Sequence, residues 1–532
     1  MKKLISIFFA LVITPIVFAS DTYDWESTPL TYQSFAKYCN ETQSAYQYVF
    51  NGYMNENGKE VPMYDLEGII NTIKILDEDN KEKKTILETA LLKKDITTMK
   101  CLSGASSTIN LTPILSNGKA TLDYVFESKD KELIKIYHTL GYYNPKHETL
   151  KEPFITAIKD KNKPEFEKLL AQGADIEFPV YHKDTGSCPY DMLRANYTAL
   201  SDAVQNGDKA WAKYLISKGA DKVIGTKSWR TKIDANCSYW TVNISPIYTA
   251  IQNNNLEMLR ILVDKDNVNT PLYHGVKDYK LSVFTPLAIA VQENNKVAAE
   301  YLVSVGADVN GSSQKEFERE IIQPIKMAVM TDNLEMVKFL GELGAHDSAT
   351  CSGYDSGGFE CSSTLDTGNV EIIRYLISKG FKPNDREDLF SAVRRGNVEI
   401  VDMFIKAGAD IKARYCDDGG CYILILSAVE DGNIKMLQFL VDSGAEVYYE
   451  HDEVFEGVWG QPICRVFYRD NSIDKTRREI LKILIKNGAN LTPKCYSNTA
   501  NDSEQTITSF FLEKYPQEKE IIDLLKSKNA PE

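Results

Sequence analysis

The feature that most restricts how this chain can fold is a segment ending that keeps returning. It occurs as Leu169-Leu170-Ala171-Gln172-Gly173-Ala174-Asp175, Leu215-Ile216-Ser217-Lys218-Gly219-Ala220-Asp221, Leu302-Val303-Ser304-Val305-Gly306-Ala307-Asp308 and Phe404-Ile405-Lys406-Ala407-Gly408-Ala409-Asp410. Looser copies end at Gly344, Gly380, Gly444 and Gly488. A glycine after an apolar helical run can enter the left-handed conformation without a Cβ clash and close the last turn. Each copy therefore predicts a helix stop.

Upstream of each stop the apolar spacing is helical. Val398, Val401, Phe404 and Ile405 share one face, Glu399, Asp402 and Lys406 another, and Ile400 and Met403 add a second apolar side. A helix that is apolar on two sides needs a neighbour on each, which a stacked array supplies. Before this helix lies a shorter one with its own start signal, seen in Ser245-Pro246-Ile247-Tyr248-Thr249-Ala250, Thr285-Pro286-Leu287-Ala288-Ile289-Ala290 and Gln323-Pro324-Ile325-Lys326-Met327-Ala328. Proline fits the first turn because the N–H it lacks would have had no helical partner there. Weaker starts stand at Thr85-Ile86-Leu87, Thr198-Ala199-Leu200 and Leu389-Phe390-Ser391-Ala392, and short turns such as Gly396-Asn397 and Gly432-Asn433 join the two helices.

These alternating starts and stops resemble the ankyrin family, whose repeat carries a Thr-Pro-Leu start, a small residue three positions after the Leu, and a Gly-Ala-Asp stop. The resemblance runs from about Thr85 to Glu532 and implies an all-α, ankyrin-like helical repeat solenoid of about twelve units, degenerate at both ends. Two departures stand out. Where the family has histidine after the Leu, this chain has Tyr248, Ala288 and Lys326, so the hydrogen bonds of that histidine must be lost or replaced. The stops are also further apart than the family's ~33 residues: 46 from Gly173 to Gly219, 38 from Gly306 to Gly344, 36 from Gly408 to Gly444 and 44 from Gly444 to Gly488. The surplus falls mostly between a glycine stop and the next helix start, where the family places its β-turn fingers. Long finger loops or hairpins are thus expected.

Residues 1–19 are expected to be a cleaved secretory signal: Met1-Lys2-Lys3, an apolar stretch from Leu4 to Phe18, and the small-residue pattern Val17-Phe18-Ala19. That stretch, broken by Pro15, is too short to span a bilayer of roughly 30 Å. No later segment reaches ~18 uninterrupted apolar residues, so no membrane span is expected. Residues 20–84 do not show the repeat. Tyr32 to Phe50 and Asp65 to Leu76 read as helical around a polar stretch through Lys59, and the region is expected to cap the array's first apolar face; an independent binding module is the alternative.

Sixty-one basic residues against 75 acidic ones give a net charge of −14. That balance opposes contact with nucleic-acid phosphates or anionic lipid. It is chiefly what a solvated surface looks like, and it also suits a basic protein partner. Ten cysteines, an even number, all lie beyond the first 19 residues, which favours disulfides in an exported chain. Cys416 with Cys421 would close a Gly-Gly hairpin, Cys351 with Cys361 a loop, and Cys188 with Cys237 would tie adjacent fingers. Cys464 with Cys495 and Cys39 with Cys101 remain by nearness and elimination. A metal reading of the Cys416–Cys421 pair lacks the second short-spaced pair that a structural zinc site needs, so neither metal nor cofactor is expected.

Catalytic signals are sparse. The six histidines (138, 147, 182, 274, 346, 451) form no His-Glu-x-x-His arrangement, and there is neither a Gly-x-Ser-x-Gly elbow nor a phosphate-cradling glycine loop. The chain reads as a non-enzyme. Finger aromatics are the candidate partner surface: Tyr181, Trp229, Tyr239, Trp240, Tyr273, Tyr354, Phe359, Tyr415 and Trp459, with Tyr279, Tyr448 and Tyr449 beside them. Such residues bury large area with few rotatable bonds, although they equally suit packing along neighbouring fingers. The expected activity is binding one protein partner as a monomer in a bacterial periplasm. The resemblance extends to exported immunity proteins that neutralise secreted toxins such as lipase effectors. A scaffold for envelope maintenance or stress protection and a secreted effector that binds a host protein are the alternatives.

Overall fold

The computed structural model describes Ala36, residues 53–54, 60–61, 75–76, 83–104, 111–185, 192–224, 229–232, 238–277, 280–311, 322–346, 350–353, 359–362, 364–417, 420–448, 461–467, 473–492, 494–495, 505–528 and 530. Helices dominate, and they come in antiparallel pairs joined by tight turns. The chain divides into two compact units, Met1–Pro324 and Ile325–Glu532. No helix among the described residues is long and apolar enough to cross a membrane.

In the first unit, helix pairs run from Ile86–Lys93 with Ile96–Gly104 to Pro286–Gln292 with Lys296–Val305. The shorter helix of a pair starts where the sequence signals it: the side chains of Thr85, Thr198 and Thr285 accept from the backbone N–H three residues on. Starts of the longer helices are capped by Asn or Asp in the same way, at Asn162, Asp208, Asn255 and Asn295. The stops are as expected. Gly173, Gly219 and Gly306 are left-handed, with φ of 107°, 99° and 107°, and the following alanine N–H reaches back to the carbonyl of Leu169, Leu215 or Leu302, which satisfies a carbonyl the helix end would otherwise orphan.

Packing explains the two-sided apolar pattern. In Pro286–Gln292, Leu287, Ala288, Ile289, Ala290 and Val291 are all fully buried, because this short helix is enclosed by its own partner, by the preceding short helix Pro246–Gln252, and by the finger strand Lys280–Phe284. Ala199–Gln205, Pro246–Gln252 and Pro286–Gln292 pack in series. At the other end of the unit, Ile86, Leu87, Leu91, Met99, Leu102, Val125, Leu133 and Tyr137 join one core.

The second unit repeats the arrangement. Leu334–Glu342, Val370–Ser378, Val398–Lys406, Ile434–Asp442 and Lys475–Lys486 pack in series, and Lys475–Lys486 packs on Lys519–Ser527. Gly344, Gly380, Gly408, Gly444 and Gly488 are left-handed. One repeat is irregular: a turn at Thr364 and Leu365, both buried, precedes Val370–Ser378 in place of a first helix.

Before Thr85, Ala36 is helical, in keeping with the helical reading of Tyr32 to Phe50, whereas the end of the second expected helix is not. Ile75–Leu76, the end of the expected Asp65–Leu76 helix, is extended and pairs antiparallel with Lys83–Lys84, and Tyr53–Met54 pairs with Glu60–Val61 around the polar stretch. The expected signal segment, residues 1–19, lies outside the described residues.

Candidate partner-binding fingers

The extra residues between stops build β-hairpins. Tyr181–Thr185 pairs with Met192–Tyr197, Trp229–Lys232 with Ser238–Asn243, Leu272–Lys277 with Lys280–Phe284, Thr350–Gly353 with Phe359–Ser362, and Arg414–Asp417 with Gly420–Ile423, all antiparallel. The hairpins at 181–197, 229–243 and 414–423 sit between left-handed Gly173, Gly219 or Gly408 and the next short helix, as the stop spacing anticipated, whereas the hairpin at 272–284 follows a helix ending at the extended Val263 and that at 350–362 leads into the turn at Thr364.

The first two fingers do more than stand side by side. Met192–Tyr197 pairs parallel with Ser238–Asn243, giving a four-stranded sheet in the order 181–185, 192–197, 238–243, 229–232. Its register aligns Leu193 with Trp240 and Arg230, Met192 with Tyr239 and Thr231, and Arg194 with Thr241 and Trp229. Two repeats are thereby joined through finger backbone as well as through helices. The sheet is anchored where it meets the helices. Val180 N–H donates to the Tyr197 carbonyl at 2.8 Å and Ile244 N–H to the Asn196 carbonyl at 2.9 Å. Tyr181 and Tyr197 stack with centroids 4.5 Å apart and planes 3° from parallel. Burial, then Tyr197 and the Asp202 carboxylate, push the Tyr181 phenol up to about 12, so it stays a neutral hydroxyl.

Of the nominated aromatics, Tyr181, Trp229, Tyr239 and Trp240 belong to this sheet, Tyr273 to the hairpin that follows, and Phe359 and Tyr415 to hairpins of the second unit. Tyr354 and Trp459 lie outside the described residues, as do Tyr279 and Tyr449; Tyr448 is 40% exposed. Four of the candidates thus belong to the strands of one sheet, and the other described candidates are distributed among other hairpins.

Among the cysteines, Cys101 and Cys464 are disulfide-bonded and buried. Cys351 and Cys361 face each other as Cα partners in one hairpin, and Cys416 and Cys421 in another. Cys495 stands opposite Gln505 in a short pairing of Lys494–Cys495 with Gln505–Thr506. Cys39, Cys188 and Cys237 lie outside the described residues. What the cysteine reading missed is that the first two fingers are tied by a parallel β ladder. No local sequence signal announces it, since parallel pairing depends on where two repeats place their fingers.

The position where the resemblance expects histidine has been reassigned repeat by repeat. Ser201 Oγ donates to the Ile244 carbonyl of the next repeat at 2.6 Å, and Glu88 Oε1 accepts from the Ser116 N–H at 3.1 Å. Tyr248 Oη accepts from Gln252 at 3.1 Å, within its own helix, whereas Ala288 contributes only apolar packing. The longer helices carry a second brace. The Tyr214, Tyr301 and Tyr375 hydroxyls each reach the preceding longer helix or its end, to Glu167 Oε1 at 2.8 Å, the Val263 carbonyl at 3.2 Å and the Lys338 carbonyl at 3.1 Å. Lys163, Arg260 and Lys379 lie over those rings at 4.6, 4.9 and 5.5 Å. Among the described residues no group of three or more His, Cys, Asp or Glu side chains is arranged to hold a metal.

Residues 231–313 and 361–451 match the family model for ankyrin repeats, in three copies. Among curated proteins, the chain is similar to the ankyrin repeat and KH domain-containing protein mask-1 of Caenorhabditis elegans, at 26% identity over 243 residues, covering 45% of this chain and 8% of that one. It is also similar, at 26% identity over 172 residues, to a protein of Rickettsia felis described as an ankyrin repeat protein, covering 32% of this chain and 40% of that one. The matched part spans less than half the length of either relative.

Proposed function

We propose, from the premise that this chain is an ankyrin-repeat protein, that it grips one specific protein through the finger sheet of residues 181–243 and performs no catalysis. Ankyrin repeats are protein-binding modules, and the observation that carries the finer reading is the fusion of two fingers into one four-stranded sheet. A single hairpin is marginally stable in water, whereas a four-stranded sheet anchored by Ser201, Tyr181 and Tyr197 holds the strands that contain Trp229, Tyr239 and Trp240 in a fixed register. Aromatic anchors held in place lose little entropy on binding.

The same proposal places the protein in a bacterial periplasm. Support comes from the basic and apolar opening of the sequence, from ten cysteines and from the disulfides at Cys101 and Cys464, which persist in oxidising compartments. A net charge of −14 suits a basic partner, and a secreted toxin of the lipase-effector kind, neutralised by this chain as an immunity protein, is the partner we name. Cell fractionation tests the location. Binding is tested by mixing the purified full chain with the product of a neighbouring effector gene and cross-linking the complex. We expect cross-links at residues 181–243 and at least a tenfold loss of affinity for Trp240→Ala with the circular dichroism unchanged. Absence of binding, together with no toxin sensitivity on deletion, would dismiss the immunity role. Cross-links confined to the longer helices would dismiss the finger surface.

A further inference from the structure

Successive stops in the first unit are held together by a row of like hydrogen bonds made by unlike side chains. His147 Nδ1 accepts from the Asp175 N–H at 2.8 Å, Glu177 Oε1 from the Asp221 N–H at 2.7 Å, and Asn269 Oδ1 from the Asp308 N–H at 2.7 Å. In each case a side chain ahead of the shorter helix ties down the aspartate that follows a later helix stop. Two of the three acceptors can gain or lose a proton.

Those two are also the buried ones. His147 is 1% exposed and Glu177 3%, and His147 Nε2 and Glu177 Oε2 have no hydrogen-bond partner. Around them, His138 Nε2 lies 2.9 Å from Asp175 Oδ2, which also accepts from the Asn144 N–H, while Asp175 Oδ1 accepts from the Glu177 N–H. Lys135 Nζ holds Asp221 Oδ2 at 3.0 Å. His147 is stacked on Phe178 at 4.0 Å and faces Phe154 edge-on; Phe126 and Tyr143 flank His138. Glu148 and Lys151 complete the charged groups acting on His147. Ionisable groups thus meet in a largely apolar shell, where a net charge left without a counterion is costly.

We propose that the stretch from His138 to Asp221 is a proton-operated latch inside the array. Glu177 holds the Asp221 turn as an uncharged acid, His147 holds the Asp175 turn as an uncharged base, and Asn269 holds the Asp308 turn with no proton to exchange.

The directions of titration follow from the same contacts. Burial, reinforced by the Asp221 and Asp175 carboxylates and opposed by His138, pushes the Glu177 carboxyl from 4.5 up to about 8. Burial pulls His147 below its ordinary 6.5. Burial would also lower His138, but Asp175, then Glu177 and Asp221, hold it above its ordinary value, which favours the charged form of His138 beside Asp175. Between 4.5 and about 8 the opened junction has released the Glu177 proton while the closed one keeps it. Closure over Asp221 therefore weakens as pH rises through that window, by up to about tenfold per pH unit, and levels off above it. His147 acts in the opposite sense: its hold on Asp175 is full above 6.5 and is lost as pH falls through the lowered value.

Amide hydrogen exchange of the full chain between pH 5 and 9, corrected for the intrinsic chemical rate, reads all three bonds at once. The Asp221 amide is expected to lose at least tenfold in protection from pH 5.5 to 8, the Asp175 amide to lose protection in the other direction below 6.5, and the Asp308 amide to change less than about twofold. Glu177→Gln, uncharged and of the same shape, is expected to flatten the Asp221 profile while the other two persist. Three amides that rise and fall together, or an Asp221 amide as flat as Asp308, would overturn the latch. So would an unflattened profile in Glu177→Gln. Should that variant not fold, the comparison of the three amides in the natural chain still decides.

Discussion

At the residue scale, the array is governed by which residue sits at each left-handed position. The helix-stop glycines use the freedom that only glycine has. Gly408, at φ 103°, has nothing within 4 Å of where a Cβ would stand, so Gly408→Ala tests conformation free of any clash. It is expected to destabilise the second unit by about 1 kcal/mol, read as a lower urea midpoint. The turns between paired helices are filled otherwise. Gly207, Gly396 and Gly432 occupy some, but Lys94, Lys129, Lys161, Asn254, Asn294 and Asp332 occupy others, with φ between 51° and 57°. A lysine in this conformation costs about 1–2 kcal/mol. Lys129→Gly should therefore stabilise the first unit, by about 1 kcal/mol once the added freedom of the unfolded chain is subtracted. A fall in urea midpoint for Lys129→Gly would show that the lysine side chain contributes more than its backbone costs. The stops were readable because glycine, alanine and aspartate recur together. Left-handed lysines were not, because nothing in a lysine announces φ.

At the element scale, the longer helices owe their starts to Asn and Asp caps and their ends to glycine, all local chemistry. Asn433→Ala removes the acceptor for the Met436 N–H and should cost about 1 kcal/mol, seen as faster amide exchange in the first turn of Ile434–Asp442. The fingers follow a different logic. Met192–Tyr197 is a central strand, and Ala195 stands opposite Lys183 on one side and Val242 on the other. Ala195→Pro removes an N–H from the interior of the sheet and is expected to destabilise it by about 2 kcal/mol. Both flanking strands, 181–185 and 238–243, should then exchange faster while Lys296–Val305 does not. If only one finger loosens, the parallel ladder between the fingers carries little of their stability. That hairpins would fill the long gaps was legible from the spacing of the stops. Which hairpins would merge was not, since it depends on how two repeats are stacked.

At the scale of the whole molecule, stability is distributed along a series of neighbours, and repeat arrays gain it from each interface in turn. Covalent ties add to this locally. Cys464 is buried beside Ile463 and Phe467 and disulfide-bonded, so Cys464→Ser should lower the stability of the second unit by about 2–4 kcal/mol. Reductant should reproduce the loss in the natural chain and have no further effect on the variant's local exchange around Pro462–Arg465. Equal protection of that helix with and without reductant would contradict the assignment of a stabilising role.

The sequence by itself determined the repeating helix pair, its starts and stops, and the presence of long insertions between pairs. Those features are local, set within one turn by proline, capping side chains and glycine, and by the period of the apolar residues. Only the tertiary structure decided that two fingers share one sheet, that Ser201 and Glu88 stand in for the family's histidine, and that His147 and Glu177 tie successive stops. These contacts join residues about 28 to 47 positions apart, and a hydrogen bond across that separation forms only after the helices between its ends have packed.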